Sequence, residues 1–411
     1  MSIRVEPPAV APAPAAAVVV PDPHPDEPAV APPPGSPRFP LVDGLRAIAA
    51  LAIVATHTAA LSGFNEANPV GAWTARMDSG VAIFFVLSGF LLYRPWVAAR
   101  LAGRKGPHPL TYLKRRALRI LPAYWVALTI LGLVVSAQVP LVFSDRWWVY
   151  YGLLQSWSST TILGGIGVAW SLSVEIAFYV LLPVLAYVSG RWLQGRHPER
   201  QVRAELWALG LSAVAAVTVR TMVLVIEPKT VYGNTLPGLW AWFAGGMVLA
   251  ILSAAYGTRA VAERPRFVRT ATEQPLLWWA AAFTALTITA WGLALPRNLL
   301  TPYSTFNLQA EHLLYGIMAF TLVAPAVFAD GRRSTVSRVL SWRLVAWLGL
   351  VSYGIFLFHL PLSVQLIRVS DRFPGGFLGY IAVAAGAATA CAALSYYLVE
   401  KPFLRLKGRG R

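Results

Sequence analysis

Ten windows of about 17 to 23 predominantly apolar residues lie near 45–62, 80–96, 120–138, 169–189, 205–225, 236–255, 276–294, 311–329, 345–367 and 376–398 of this 411-residue chain. Each is long enough to cross the hydrocarbon core of a bilayer. In lipid every backbone N–H and C=O must find its partner inside the segment, so apolar windows of this length fold as helices. The expected fold class is all-α, a polytopic integral membrane protein of about ten transmembrane helices. Only 13% of the residues are charged, about half the share found in soluble domains. A net charge of +17 would suit nucleic acid as a partner, but the basic residues sit in short loops between the windows, which marks topology and argues for no nucleic acid. With the amino-terminal tail in the cytoplasm, 28 of the 35 Lys and Arg residues fall on the inner side. Both termini are therefore expected in the cytoplasm and the protein in the plasma membrane, crossing it many times.

Residues 1–38 are rich in Pro and Ala, as in Pro21-Asp22-Pro23-His24-Pro25, and cannot form a buried face. They are expected to be a disordered tail, without the basic start and cleavage site of a signal peptide. The transmembrane domain is expected over 39–406, followed by a basic tail at 407–411. The stretch 147–163, opening Trp147-Trp148-Val149-Tyr150-Tyr151, is aromatic in the manner of an interfacial belt. As a full span it would carry the Arg191–Arg203 loop outside, so it is expected to be re-entrant or interfacial. The single cysteine, Cys391, excludes an intrachain disulfide, and no cluster has metal-ligand spacing, so no metal is expected.

The costly residues are those that ionise inside an apolar window, and these default to function. Arg46 and His57 are eleven positions apart on one helix, so they leave the same face about 16 Å apart along its axis. Imidazole is the side chain suited to proton transfer near neutral pH. Glu175 and His359 are expected at a depth similar to that of His57, where a carboxylate beside an imidazole would make a general base. Arg116 and Arg119, three residues apart, share a helix face, and with Arg46 they would form a guanidinium cluster for phosphate. Ser88 reads as a packing or capping residue. P-loop, dinucleotide and serine-hydrolase motifs are missing.

Six segments in order carry a resemblance: Leu41-Val42-Asp43-Gly44-Leu45-Arg46 with its spacer to His57; Phe84-Phe85-Val86-Leu87-Ser88-Gly89-Phe90; Arg116-x-x-Arg119-Ile120-x-Pro122; Trp170-Ser171-Leu172-Ser173-Val174-Glu175; Ser352-Tyr353-Gly354 with His359-x-Pro361; and Glu400-Lys401-Pro402. Over residues 39 to 406 the chain resembles the membrane-bound acyltransferase family 3, whose members move acetyl or other short acyl groups onto hydroxyls of carbohydrates, glycolipids or macrolides. The resemblance implies a catalytic set of Arg46, His57 and Glu175, with His57 either the general base on the acceptor hydroxyl or the carrier that relays the acyl group. It implies Arg46, Arg116 and Arg119 at an acyl-CoA donor, and His359, Trp170 and Ser173 on the substrate side. No resident cofactor is implied. A chain without the appended esterase-like domain of some members is expected. A macrolide-type tailoring enzyme, or a transporter or flippase of lipid-linked sugars, would suit the same helices and buried charges.

Overall fold

A computed structural model describes residues 39–227, 230–298, 301–329 and 335–406; the expected tails at 1–38 and 407–411 lie outside the described residues. Among these there is no strand. The main helices are α1 (Pro40–Leu61), α2 (Gly80–Leu101), α3 (Pro109–Val134), α4 (Trp170–Leu193), α5 (Pro198–Ile226), α6 (Leu236–Tyr256), α7 (Pro275–Thr287), α8 (Thr305–Phe328), α9 (Arg343–Leu366) and α10 (Phe377–Ser395). Proline stands in the first turn of α1, α3, α5, α6 and α7, where its missing N–H costs nothing and its fixed φ starts the helix.

Among the described residues nine helices are long and apolar enough to cross a membrane. The remaining expected span, 276–294, is α7 followed by a π turn, Ile288–Gly292. The stretch 147–163 does not span. It is one short helix, Trp147–Tyr151, and a 3-10 turn, Gln155–Trp157. The carbonyls of Tyr150 and Tyr151 accept from Tyr124 and Trp125 of α3, at 2.8 and 2.9 Å. That is the situation in which irregular backbone survives at membrane depth.

Helix α1 is central, packed chiefly on α9 and also on α2, while α2 packs most extensively on α6. Glycine sets the closeness of the α2–α6 crossing. A Cβ on Gly246 would lie 2.0 Å from the carbonyl oxygen of Val86, and one on Gly89 2.2 Å from that of Phe243. Because the obstruction is backbone, the helices themselves would have to separate, at the upper end of the roughly 1–3 kcal/mol cost of overpacking. Gly246→Ala is expected to lower the melting temperature of the detergent-purified protein. Gly210→Ala, with open space around it, is expected not to do so. Equal melting curves for the two variants would contradict the close crossing. The opposite arrangement holds on α5, whose Trp207, Leu211, Val214 and Val225 are exposed, as lipid-facing side chains must be.

Candidate active site

Two chambers approach each other beside α1. The first, of about 100 Å³, gathers Arg46 from α1, Ser88 from α2, Arg116 and Arg119 from α3, Glu175 and Tyr179 from α4 and Tyr353 from α9. Its lining holds three guanidinium groups and one carboxylate, while Asp43 acts on Arg46 from outside the lining and Glu400 on Arg46 and Arg119. Oε1 of Glu175 accepts from Tyr179 at 2.6 Å and from the Ser88 hydroxyl. None of the three arginines makes an ion pair or a side-chain hydrogen bond among the described residues. Nε of Arg116 is buried without a partner. Guanidinium groups with no direct ion pair or side-chain hydrogen bond in a partly dry recess are a site for an anion, and the planar fork favours phosphate or carboxylate.

The second chamber, of about 330 Å³, is lined by His57 and Trp170, and by Arg76, Asp78, Arg220, Tyr303, Glu311, His312 and Tyr315. Residues Val81, Ser171 and Phe356 line both chambers and form the septum between them.

At that septum the hydrogen bonds fix the protonation of His57. Its Nδ1 lies 2.8 Å from the carbonyl oxygen of Ile53, and a carbonyl only accepts, so Nδ1 carries the proton. Nε2 of His359 lies 3.3 Å from the same Nδ1. His359 in turn donates from Nδ1 to the carbonyl of Phe356 at 2.7 Å, so its Nε2 is an acceptor. The His57 N–H is therefore shared between Ile53 and His359. Its Nε2 is left as an unprotonated nitrogen with no partner among the described residues, which is the state a general base requires.

The structure thus brings Arg46, Arg116 and Arg119 together and sets His359 behind His57, fully buried and off the chamber wall. The expected pairing of Glu175 with an imidazole is not found. Glu175 lies five residues into α4, about 7.5 Å beyond Trp170 along the axis, and this rise carries it from the His57 level into the arginine chamber. Trp170 lines the His57 chamber. Ser173 faces neither chamber and its hydroxyl meets that of Ser156 at 2.8 Å. Ser88, expected to be a packing residue, binds Glu175 instead. The Arg76, Asp78, Glu311 and His312 group went unnoticed because its members stand at the edges of apolar windows, where charge is ordinary. Arg220 lies inside the 205–225 window and could have been found by the rule that singled out Arg46. Among the described residues no group of His, Cys, Asp and Glu is arranged to hold a metal ion.

Residues 39–397 match the family profile described as an acyltransferase domain, the third of that name. The chain belongs to acyltransferase family 3. It is accordingly an acyltransferase, and its long apolar helices make it a multi-pass membrane protein. Among similar proteins, Nodulation protein 10 of Rhizobium leguminosarum bv. viciae is 25% identical over 89% of this chain and 93% of its own length. Acyltransferase MdmB of Streptomyces mycarofaciens is 29% identical over 92% of this chain and 95% of its own. The peptidoglycan O-acetyltransferase OatA of Listeria monocytogenes is 23% identical over 88% of this chain but only 55% of its own. No solved structure matches.

Proposed function

We propose that this acyltransferase takes an acetyl or other short acyl group from acyl-CoA and places it on a hydroxyl of a cell-envelope carbohydrate or glycolipid. The observation that carries this reading is the division of labour across the septum. Three unpaired arginines lie on one side, and an unprotonated imidazole nitrogen on the other. The phosphates of the donor meet Arg46, Arg116 and Arg119 from the cytoplasmic side. From there its pantetheine arm runs along α1, and the thioester passes between Val81, Ser171 and Phe356 toward His57.

Nε2 of His57 takes the proton of the acceptor hydroxyl as the oxygen attacks the thioester carbonyl carbon. The new C–O bond forms, the C–S bond breaks, and the proton passes from His57 to the departing sulfur, giving the ester and free CoA. Holding both reactants at one septum supplies proximity. The names of relatives acting on peptidoglycan support an envelope acceptor.

The septum also predicts donor selectivity. With membrane extract as acceptor source, purified protein is expected to release CoA from acetyl-CoA and progressively less from longer acyl-CoAs. Phe356→Ala, by opening the passage, is expected to shift that limit to longer chains. A wild-type protein that neither binds acyl-CoA nor releases CoA would rule out acyl-CoA as the donor.

A further inference from the structure

The polar chamber beyond the septum has a composition of its own. Arg76 and Glu311 form a buried ion pair at 2.7 Å, Glu311 also accepts from Tyr303, and Asp78 accepts from Tyr315 at 2.6 Å. Arg220 is the odd member. Its Nη1 is taken up by the carbonyls of Gly233 and Gly238, at 2.6 and 3.4 Å. Its Nε has no partner among the described residues, and no carboxylate pairs with it. Nδ1 of His312, a ring stacked on Trp242 with centroids 4.7 Å apart, is likewise unpartnered. Both side chains are more than nine-tenths buried. Buried donors and acceptors left unmatched cost stability unless something supplies their bonds.

Two guanidinium groups and two carboxylates balance, so the chamber has no net formal charge, in contrast with the arginine chamber. It offers donors and acceptors in mixed order, with the indoles of Trp170 and Trp242 as apolar flanks. Its volume is at the small end of the roughly 300–1,000 Å³ usual for ligand sites. A lipid tail would strand the polar groups, and an anion would face Asp78 and Glu311 as well as the arginines.

We propose that this chamber is the acceptor site and holds a neutral, polyhydroxylated ring, a pyranose or a similar polyol, with one hydroxyl turned to His57. This rests on the acyl-transfer reading above, and the chamber can be tested without any acyl donor. Asn234 lines its wall and is exposed, so Asn234→Cys in a Cys391→Ala background puts one thiol at the mouth.

Maleimide labelling of that thiol in the full-length, detergent-purified protein is expected to slow with methyl β-D-glucopyranoside, about tenfold at a concentration ten times its dissociation constant. Glucose 6-phosphate is expected to protect less, and acetyl-CoA not at all. Arg220→Lys, which keeps the charge and loses the fork, is expected to weaken glycoside protection about tenfold, the loss of one charge-assisted bond. Saturation-transfer NMR of the unsubstituted protein with the same glycoside gives the binding independently of any variant. Absence of saturation transfer together with undiminished labelling, or better protection by the sugar phosphate, would overturn the proposal. Glycoside protection in a protein that binds no acyl-CoA would leave the chamber assigned and refute only acyl-CoA as the donor.

Discussion

His57→Ala is expected to reduce acyl transfer by about 10²–10⁴-fold, the range that a positioned general base supplies, while acyl-CoA still binds. The separation of effects follows from the septum. His57 lines only the polar chamber, and the arginines line only the other, so loss of the base leaves the phosphate site intact. His57→Gln is the sharper variant. Its amide can still donate toward Ile53 and His359, yet it cannot take a proton, so it is expected to be as inactive as alanine. His359→Ala removes the acceptor that helps hold the His57 ring, whose centroid lies 5.1 Å from its own. It is expected to lower turnover less and to leave the donor affinity unchanged. Since the base works only as neutral imidazole, transfer is expected to fall as the pH drops and His57 protonates. The measurement is single-turnover transfer of radiolabelled acetyl, with donor binding followed separately by calorimetry. A His57→Gln protein that transfers at the wild-type rate would remove the imidazole from the chemistry.

The sequence made the bundle legible because lipid imposes one rule on every span, and an apolar window obeys it visibly. Arg46 and His57 could be placed on one face from helical rise alone, and the structure keeps them at the walls of two adjoining chambers. What periodicity could not supply was rotation and register between helices. Glu175 was expected beside an imidazole from its depth, yet a difference of five residues along α4 sends it to Tyr179 and Ser88. The His57–His359 contact joins residues far apart in the chain, and only the packing of α9 on α1, allowed by Gly349, whose Cβ would lie 1.9 Å from the Asp43 carbonyl oxygen, brings them together. The polar chamber was hidden for a different reason. Arg76, Asp78 and Glu311 look like ordinary flanking charges until the start of α8 is seen packed beside the turn before α2.

Arg116→Ala and Arg119→Ala are expected to weaken acyl-CoA binding by about 10- to 100-fold each, since a hydrogen bond to a charged group contributes roughly 1.5–3 kcal/mol. Arg116 is not ion-paired among the described residues, so its loss should fall on the ligand rather than on the fold; Arg119 also acts on the buried carboxylate of Glu400, so its alanine variant is expected to lower the melting temperature as well. The decisive comparison is between acetyl-CoA and acetyl-pantetheine, which lacks the phosphates. Arginine variants are expected to raise KM for the first and to leave that for the second unchanged, so that the preference of the wild type for the full donor disappears. Glu175→Gln tests the same electrostatics with the opposite sign. Removing the one carboxylate that lines the chamber makes it more positive, although Asp43 still acts on Arg46 and Glu400 on Arg46 and Arg119, and the amide can still accept from Tyr179 and Ser88. Acyl-CoA is then expected to bind at least as tightly as to the wild type, with the gain shrinking as salt screens the field. If Glu175→Gln instead weakens binding as much as Arg116→Ala does, the chamber does not hold phosphate through net positive charge, and Glu175 must contact the donor directly.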